Sequence, residues 1–312
     1  MNDSMTRRFE RIKDVAFDVS MQPQRRVSAC NLCGNSVFTV VSHQDRYGYD
    51  VEACACRKCG LVFLNPVMTV EGYREFYSTV YRPLVSAYHG RLIDANSIQN
   101  EQRAYATERA KLLEPFVAEV KPSNLLDVGG STGVVAHYFS TCFNLEATVV
   151  DPAPLEIQKA KSLGLNTVTG VAEEFDPGDR KFDVVVMCQT VDHLLDINRT
   201  LKAIRRLINA DGGLFFVDIV DFRAAYLRES SVNRAIKVDH PYYLTEGTIE
   251  AFLALAGFEI LLVDYAEDYL HVGYVCRPGK PYRLDDALPE PSTTTELWRE
   301  IRAVQIASHC AS

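Results

Sequence analysis

The sequence has no uninterrupted apolar stretch near the roughly 20 residues that a membrane helix needs. Its first residues, MNDSMTRRFERIKD, carry too much charge to form the apolar centre of a signal peptide. Both absences point to a cytoplasmic protein with no membrane partner. Basic residues are outnumbered, 33 Lys and Arg against 41 Asp and Glu, and the formal charge is -8. A chain so acidic has no general attraction to phosphate backbones, so nucleic acid is not expected as a partner and small molecules are favoured. Internal repeats are absent, and no oligomeric state is read from the sequence. Structural disulfides are not expected in a reducing cytosol, which leaves the nine cysteines to be explained in another way.

At 312 residues and 47% hydrophobic composition, the chain exceeds the usual length of one domain. One large unit and one small unit are expected. Residues 1–28 read as a polar N-terminal arm, 29–68 as a cysteine-bearing module and 69–121 as a helical linker or lid. Residues 122–277 read as an α/β domain, and 278–312 as a C-terminal tail rich in Pro, Thr and acid.

In the small module, Cys30-Asn-Leu-Cys33 and Cys56-Arg-Lys-Cys59 form two C-x-x-C knuckles. Such a knuckle places two thiolates on one side of a zinc ion, and two knuckles complete a tetrahedral shell. Four protein ligands leave no open position, so the Zn2+ expected here is structural. Cys54 offers a C-x-C alternative to Cys56, but the C-x-x-C spacing favours Cys56 and Cys59. Gly34 and Gly60 follow the second cysteine of each pair, where a turn tolerant of unusual backbone angles is needed.

After Pro122 the pattern changes to short apolar runs alternating with helical periods, which implies βαβ units and a parallel, Rossmann-like sheet. The strand LLDV runs into Gly129, Gly130, Ser131 and Gly133 and then directly into a helix. Glycines there let the backbone turn tightly and approach a ligand. A nicotinamide site wants G-x-G-x-x-G, and the spacing does not match. Asp127, just ahead of the first glycine, suits a cationic ligand, because a carboxylate can orient the ammonium of a bound amino acid. That points to S-adenosyl-L-methionine. Asp151 closes the next strand, where an acid accepts hydrogen bonds from both ribose hydroxyls.

With these features in their order, residues 120–277 resemble the class I S-adenosylmethionine-dependent methyltransferases. The resemblance implies that Gly129 and its neighbours contact the methionine part, Asp151 the ribose, and Ala172 with Glu173 the adenine. Asp192-His193 stands where that family's fourth strand ends in a glutamate-histidine pair. The run CRKCGLVFLNP followed by EFYSTVY resembles bacterial methyltransferases that join a zinc ribbon to a class I domain, among them sugar C-methyltransferases. Their further C-terminal domain has no counterpart in the roughly 35 residues after the last expected strand.

Methyl transfer requires an acceptor to be positioned and its proton removed, and histidine is the natural base. Of the seven histidines, His240 and His193 sit where strands of this fold end near the cofactor. The VDHPYYLT segment resembles the corresponding stretch of the sugar C-methyltransferases, which implies catalytic places for His240 and Tyr243. Those enzymes carry a tyrosine where this chain has Lys237, which argues against carbanion chemistry. Gln189, at the tip of the fourth strand, is a candidate contact to donor or acceptor. Tyr77, Tyr81 and Arg82 are placed to reach over the cofactor as a lid, with Arg82 able to pair with a carboxylate. The function expected is methyl transfer to a saccharide-derived small molecule of surface-polysaccharide or natural-product synthesis. RNA methylation through the zinc module and a non-catalytic cofactor-binding scaffold are the alternatives.

Overall fold

A computed structural model describes residues 3–94 and 96–310. The N-terminal arm carries helix α1 (Asp3–Lys13) and strand β1 (Gln24–Arg25). Strands β2 (Phe38–Gln44), β3 (Asp50–Cys56) and β4 (Val62–Leu64) then form an antiparallel meander. Strand β5 (Val67–Met68) turns back to pair with β1. Helices α2 (Val70–Glu75) and α3 (Tyr81–His89) are joined by a π-helical turn, Phe76–Val80. Such turns recur where a helix must re-aim side chains at a functional site. The long helix α4 (Gln99–Val120) leads into the α/β unit.

That unit runs β6 (Asn124–Val128), α5 (Val134–Phe143), β7 (Glu146–Asp151), α6 (Pro154–Ser162), β8 (Asn166–Thr169), β9 (Val184–Met187), α7 (Ile197–Leu207) and β10 (Leu214–Val220). These five strands are parallel, in the order β10-β9-β6-β7-β8. With helices on both faces, β9 and most of β10 are buried throughout, which explains their continuous apolar composition. Successive strands run outward from β6 on one side and from β9 on the other. The crevice at the carboxyl ends of these two strands is the switch point where ligands bind in open α/β sheets.

After β10 come α8 (Phe222–Glu229), α9 (Val232–Ala235), β11 (Tyr242–Tyr243) and α10 (Glu246–Ala256). A reciprocal Thr245–Thr248 cap starts α10, and Gly257 ends it with a left-handed φ of 81°. Strands β12 (Phe258–Tyr265) and β13 (His271–Pro278) pair antiparallel, with β13 inserted between β10 and β12, so the seven-stranded sheet is mixed. The last residues form α11 (Leu284–Ala287) and α12 (Pro291–Cys310). Helix α12 is docked: Ile301 is buried, and Glu300 takes both Arg223 and the Tyr226 hydroxyl.

Strand β11 belongs to neither edge of the large sheet. It pairs with β4, so the meander's sheet runs β11-β4-β3-β2. The 236–243 segment is tied to the N-terminal module along its whole length. Arg46 N–H donates to the Ile236 carbonyl (2.9 Å), Val238 N–H to Asp45 Oδ2 (3.0 Å), and Leu64 N–H to the Pro241 carbonyl (3.0 Å). No helix among the described residues is long and apolar enough to cross a membrane.

Candidate active site

The first half of the site is the loop between β6 and α5. Gly129 turns with φ 71°, and a Cβ there would lie 2.4 Å from the Thr190 methyl. At Gly130 a Cβ would lie 2.5 Å from Asp127 Oδ2, and at Gly133 (φ 75°) 2.7 Å from Ala160. Each position therefore excludes side chains for a definite steric reason. Ser131 adopts φ 48° without being glycine. Its N–H donates to Asp151 Oδ2 (3.0 Å), while Ala153 N–H takes Oδ1 (2.8 Å). A carboxylate offers about four acceptor positions, so Asp151 is fixed in place with capacity left for two ribose hydroxyls.

Asp127 is 1% exposed, and neither of its carboxylate oxygens has a hydrogen-bond partner. Burial, and then the nearby Asp151 carboxylate, push its pKa up to about 7. Only the Ala136 N–H, in the first turn of α5, eases that charge, and it does so less than burial opposes it. A buried acid so poorly supplied with donors is costly unless a ligand supplies them, and an ammonium group would. The chemistry of this cradle therefore fits the amino-acid end of the expected cofactor.

Of the residues expected to form a lid, Arg82 is linked to this loop through Glu156. Arg82 pairs with Glu156 at 3.4 Å, and Glu156 in turn accepts from the Ser131 hydroxyl at 3.4 Å. Tyr81 packs against Tyr77 at 5.2 Å between ring centroids. Ala172 is buried, whereas the Glu173 carboxylate accepts from the Thr200 hydroxyl on α7. Gln189, with φ 50°, has its N–H held by Asp218 Oδ1 at 2.6 Å.

The second half of the site gathers around a short helical turn after β9. His240 Nδ1 lies 2.8 Å from Asp192 Oδ2, and its Nε2 faces Asp239 Oδ2 at 3.3 Å and Lys237 Nζ at 3.4 Å. The His193 ring lies 4.3 Å from that of His240. Tyr77 OH is 2.9 Å from the Asp239 carbonyl and 2.7 Å from His193 Nδ1, which also lies 3.1 Å from that carbonyl. A carbonyl only accepts, so the phenol donates to it, while His193 Nδ1 faces both the phenol oxygen and the same carbonyl. His193 Nε2 lies 4.0 Å from Asp192 Oδ1.

The charges divide the two rings. Burial opposes charge on His240, but the Asp192 carboxylate more than restores it, so its pKa lies above the usual histidine value. Burial, and then the neighbouring His240, push His193 down. Burial alone would raise Asp192 and Asp239, yet His240 holds both well below the usual carboxylate range. Tyr243 is fully committed: its hydroxyl accepts from Lys237 N–H (3.0 Å) and donates to the Lys237 carbonyl (2.6 Å). Placed among the catalytic groups from its sequence context, it serves in the structure to clamp the turn carrying Lys237.

In the N-terminal module, the Sγ atoms of Cys30, Cys33, Cys56 and Cys59 all lie within 4.8 Å of one another. The pairs Cys30–Cys59 and Cys33–Cys56 are 3.6 and 3.5 Å apart. A tetrahedral zinc with bonds near 2.3 Å would place its sulfurs about 3.8 Å apart. The two knuckles are built alike: Gly34 N–H donates to the Cys30 carbonyl and Gly60 N–H to that of Cys56, with φ 71° and 78°. Cys54, two residues before Cys56, is not part of the cluster.

Some participants were missed from sequence. Nothing in the local pattern points to Asp239, and Lys237 enters the sequence reading only as a departure from tyrosine. The buried Asp218, which takes Gln189 N–H and the Tyr105 hydroxyl (2.6 Å) beside the buried Arg109, was also missed. Its signal was available, since Asp218 is the one acid inside the apolar run LFFVDIV.

A family profile described as a methyltransferase domain matches residues 98–263. The malonyl-[acyl-carrier protein] O-methyltransferase of Geobacter sulfurreducens is 29% identical over 226 residues, 64% of this chain and 84% of that one. A ubiquinone biosynthesis O-methyltransferase of Azorhizobium caulinodans is 26% identical over 164 residues, 48% of this chain and 63% of that one, so less than two thirds of its length is spanned. Among solved structures, the plantazolicin methyltransferase BpumL in complex with SAH superposes with a TM-score of 0.51. It is 13% identical and covers 66% of this chain and 93% of its own, a likeness of fold alone.

Proposed function

Because this chain belongs to the family of S-adenosylmethionine-dependent methyltransferases, we propose that it methylates a small-molecule acceptor deprotonated by the histidine pair beside its cofactor crevice. The observation that carries this reading is the Asp192–His240 pair, 2.8 Å apart, two residues beyond Thr190, whose side chain packs on Gly129 of the cofactor loop.

When bound, S-adenosylmethionine supplies a methyl group already activated by its sulfonium. Asp127 would orient the ammonium end, Asp151 the ribose, and Tyr81 with Arg82 would shield the loop from water. Asp192 fixes the His240 ring through Nδ1 and stabilises the imidazolium that forms, which aims Nε2 at the acceptor. His193, held by Tyr77, presents a second basic nitrogen to the same space. The four-cysteine ribbon would hold a structural zinc, for which its sulfur spacing is suited.

For the acceptor we keep the saccharide-derived class. Its support is the VDHPYYLT segment alone, since the relatives are named for malonyl-acyl carrier protein and ubiquinone biosynthesis. The test is His240→Ala. Turnover should fall by about 10²- to 10⁴-fold while S-adenosylhomocysteine affinity in calorimetry stays unchanged. If His240→Ala retains turnover while His193→Ala loses it, the base is His193.

A further inference from the structure

We propose that Lys237 is the group that receives the acceptor's oxygen: the hydroxyl that surrenders its proton to His240 is held as an oxyanion by the Lys237 ammonium and is methylated on oxygen. This rests on the histidine pair being the base, and it goes further by naming the nucleophile.

The placement is specific. Lys237 Nζ sits 3.4 Å from His240 Nε2, the nitrogen not held by Asp192, which Asp239 Oδ2 also approaches at 3.3 Å. An ammonium has three donors, and among the described residues this is the only partner of Nζ. No carboxylate there lies within ion-pair distance of it, although Asp192 and Asp239 belong to the same cluster. A lysine recruited only to neutralise buried acid would sit on one of them. Here the carboxylates take the ring, and the cation is left beside the basic nitrogen. Its backbone is clamped at both N–H and carbonyl by the Tyr243 hydroxyl, so the flexible stem starts from a fixed point.

The other charged groups around it leave the same demand. Asp239 Oδ1 is buried without a partner, so an acceptor oxygen that reaches Lys237 Nζ and His240 Nε2 together has an acceptor atom in the same cluster as well as a cation. A molecule with two adjacent hydroxyls satisfies both, one ionised against Lys237 and the other donating to Asp239. Arg46, from the β2–β3 turn, is the second cation that bears on this lysine, and burial lowers the Lys237 pKa first. Tyr77 and His193, bonded to each other, pack against the His240 ring and the Asp239 carbonyl.

The step balances. The acceptor O–H bond breaks and its proton passes to His240 Nε2. The oxygen–methyl bond forms as the sulfur–methyl bond breaks, and that electron pair stays on sulfur to give a thioether. Lys237 gains and loses nothing; a fixed cation near developing negative charge lowers the barrier.

The probe is 4-nitrocatechol, whose ionisation is visible by absorbance, titrated into the full-length protein saturated with S-adenosylhomocysteine. Wild type should bind it as the monoanion, with its apparent pKa lowered by about one unit or more, the effect of an opposite charge in contact. Lys237→Met and Lys237→Gln should abolish that shift with S-adenosylhomocysteine affinity unchanged, and Lys237→Arg should keep part of it. Histidine NMR should show the His240 pKa rising in Lys237→Met, because a neighbouring cation is gone. An unshifted or unbound probe in wild type, or a full shift in both neutral variants, overturns the inference. Failure of wild type to bind S-adenosylhomocysteine would instead defeat the functional reading beneath it.

Discussion

The buried Asp127 carboxyl should make the ligand-free protein less stable as the pH rises, and Asp127→Asn should remove that dependence. Below pH 4 the carboxyl is protonated in both the folded and unfolded chains, and it contributes nothing. Above that, the unfolded chain ionises freely from its ordinary value of 3.8, whereas the folded chain holds the proton up to about 7. Each unit of that window costs the folded state about 1.36 kcal/mol, so the whole window costs roughly 4 kcal/mol and the cost is constant beyond it. Asparagine does not titrate, but it buries an amide with no partner, at a pH-independent cost of about 1–3 kcal/mol. The comparison is therefore of slopes. Urea unfolding of wild type and Asp127→Asn at pH 5 and pH 8 should show the mutant's stability rising relative to wild type by about 2.5–3 kcal/mol, because about two units of the window lie within that range. S-adenosylmethionine, whose ammonium would meet the carboxylate, should flatten the wild-type slope. Parallel pH profiles for the two proteins would refute the argument, because they would mean that Asp127 ionises in the folded, ligand-free protein as readily as in the unfolded chain.

The purified chain should carry about one zinc, and Cys30→Ser or Cys59→Ser should lose it; metal analysis without chelators reads this directly. Asp151→Ala should weaken S-adenosylhomocysteine binding tenfold or more, since charged hydrogen bonds contribute about 1.5–3 kcal/mol; equal calorimetric affinities would contradict the ribose assignment. The rate should rise with pH through a midpoint above the usual histidine value, because His240 must be neutral to act and Asp192 raises its pKa. That limb should vanish in His240→Ala and move to lower pH in Asp192→Asn.

Local pattern was the most legible part of this protein. The LLDVGGSTG turn, the alternation of strands and helices, and the cap and stop of α10 at Thr245 and Gly257 are written in neighbouring residues. So were the four clustered cysteines, because their contacts follow from spacing along two turns. What escaped depends on residues distant in sequence. Asp192 and His240 are 48 positions apart, and Asp45 reaches Val238 across 193. Nothing local announces that a two-residue strand after α9 will pair with β4. Tyr243 shows the limit of motif reasoning: its place in VDHPYYLT was recognisable, but the atoms to which its hydroxyl is bound were not.

The shared strand bears on how this protein can be divided. Similarity to the methyltransferase family begins at residue 98, and a chain cut there would keep β6, β7, β9 and the whole cofactor loop. It would also lose Asp45, Arg46 and Leu64, the anchors of the 236–243 segment, and leave Tyr242–Tyr243 as an unpaired edge. Such a fragment should still grip the donor while its base wanders. The working unit is therefore larger than the stretch that matches the family: any replacement of the N-terminal module must still offer a β4 edge to which Tyr242–Tyr243 can pair.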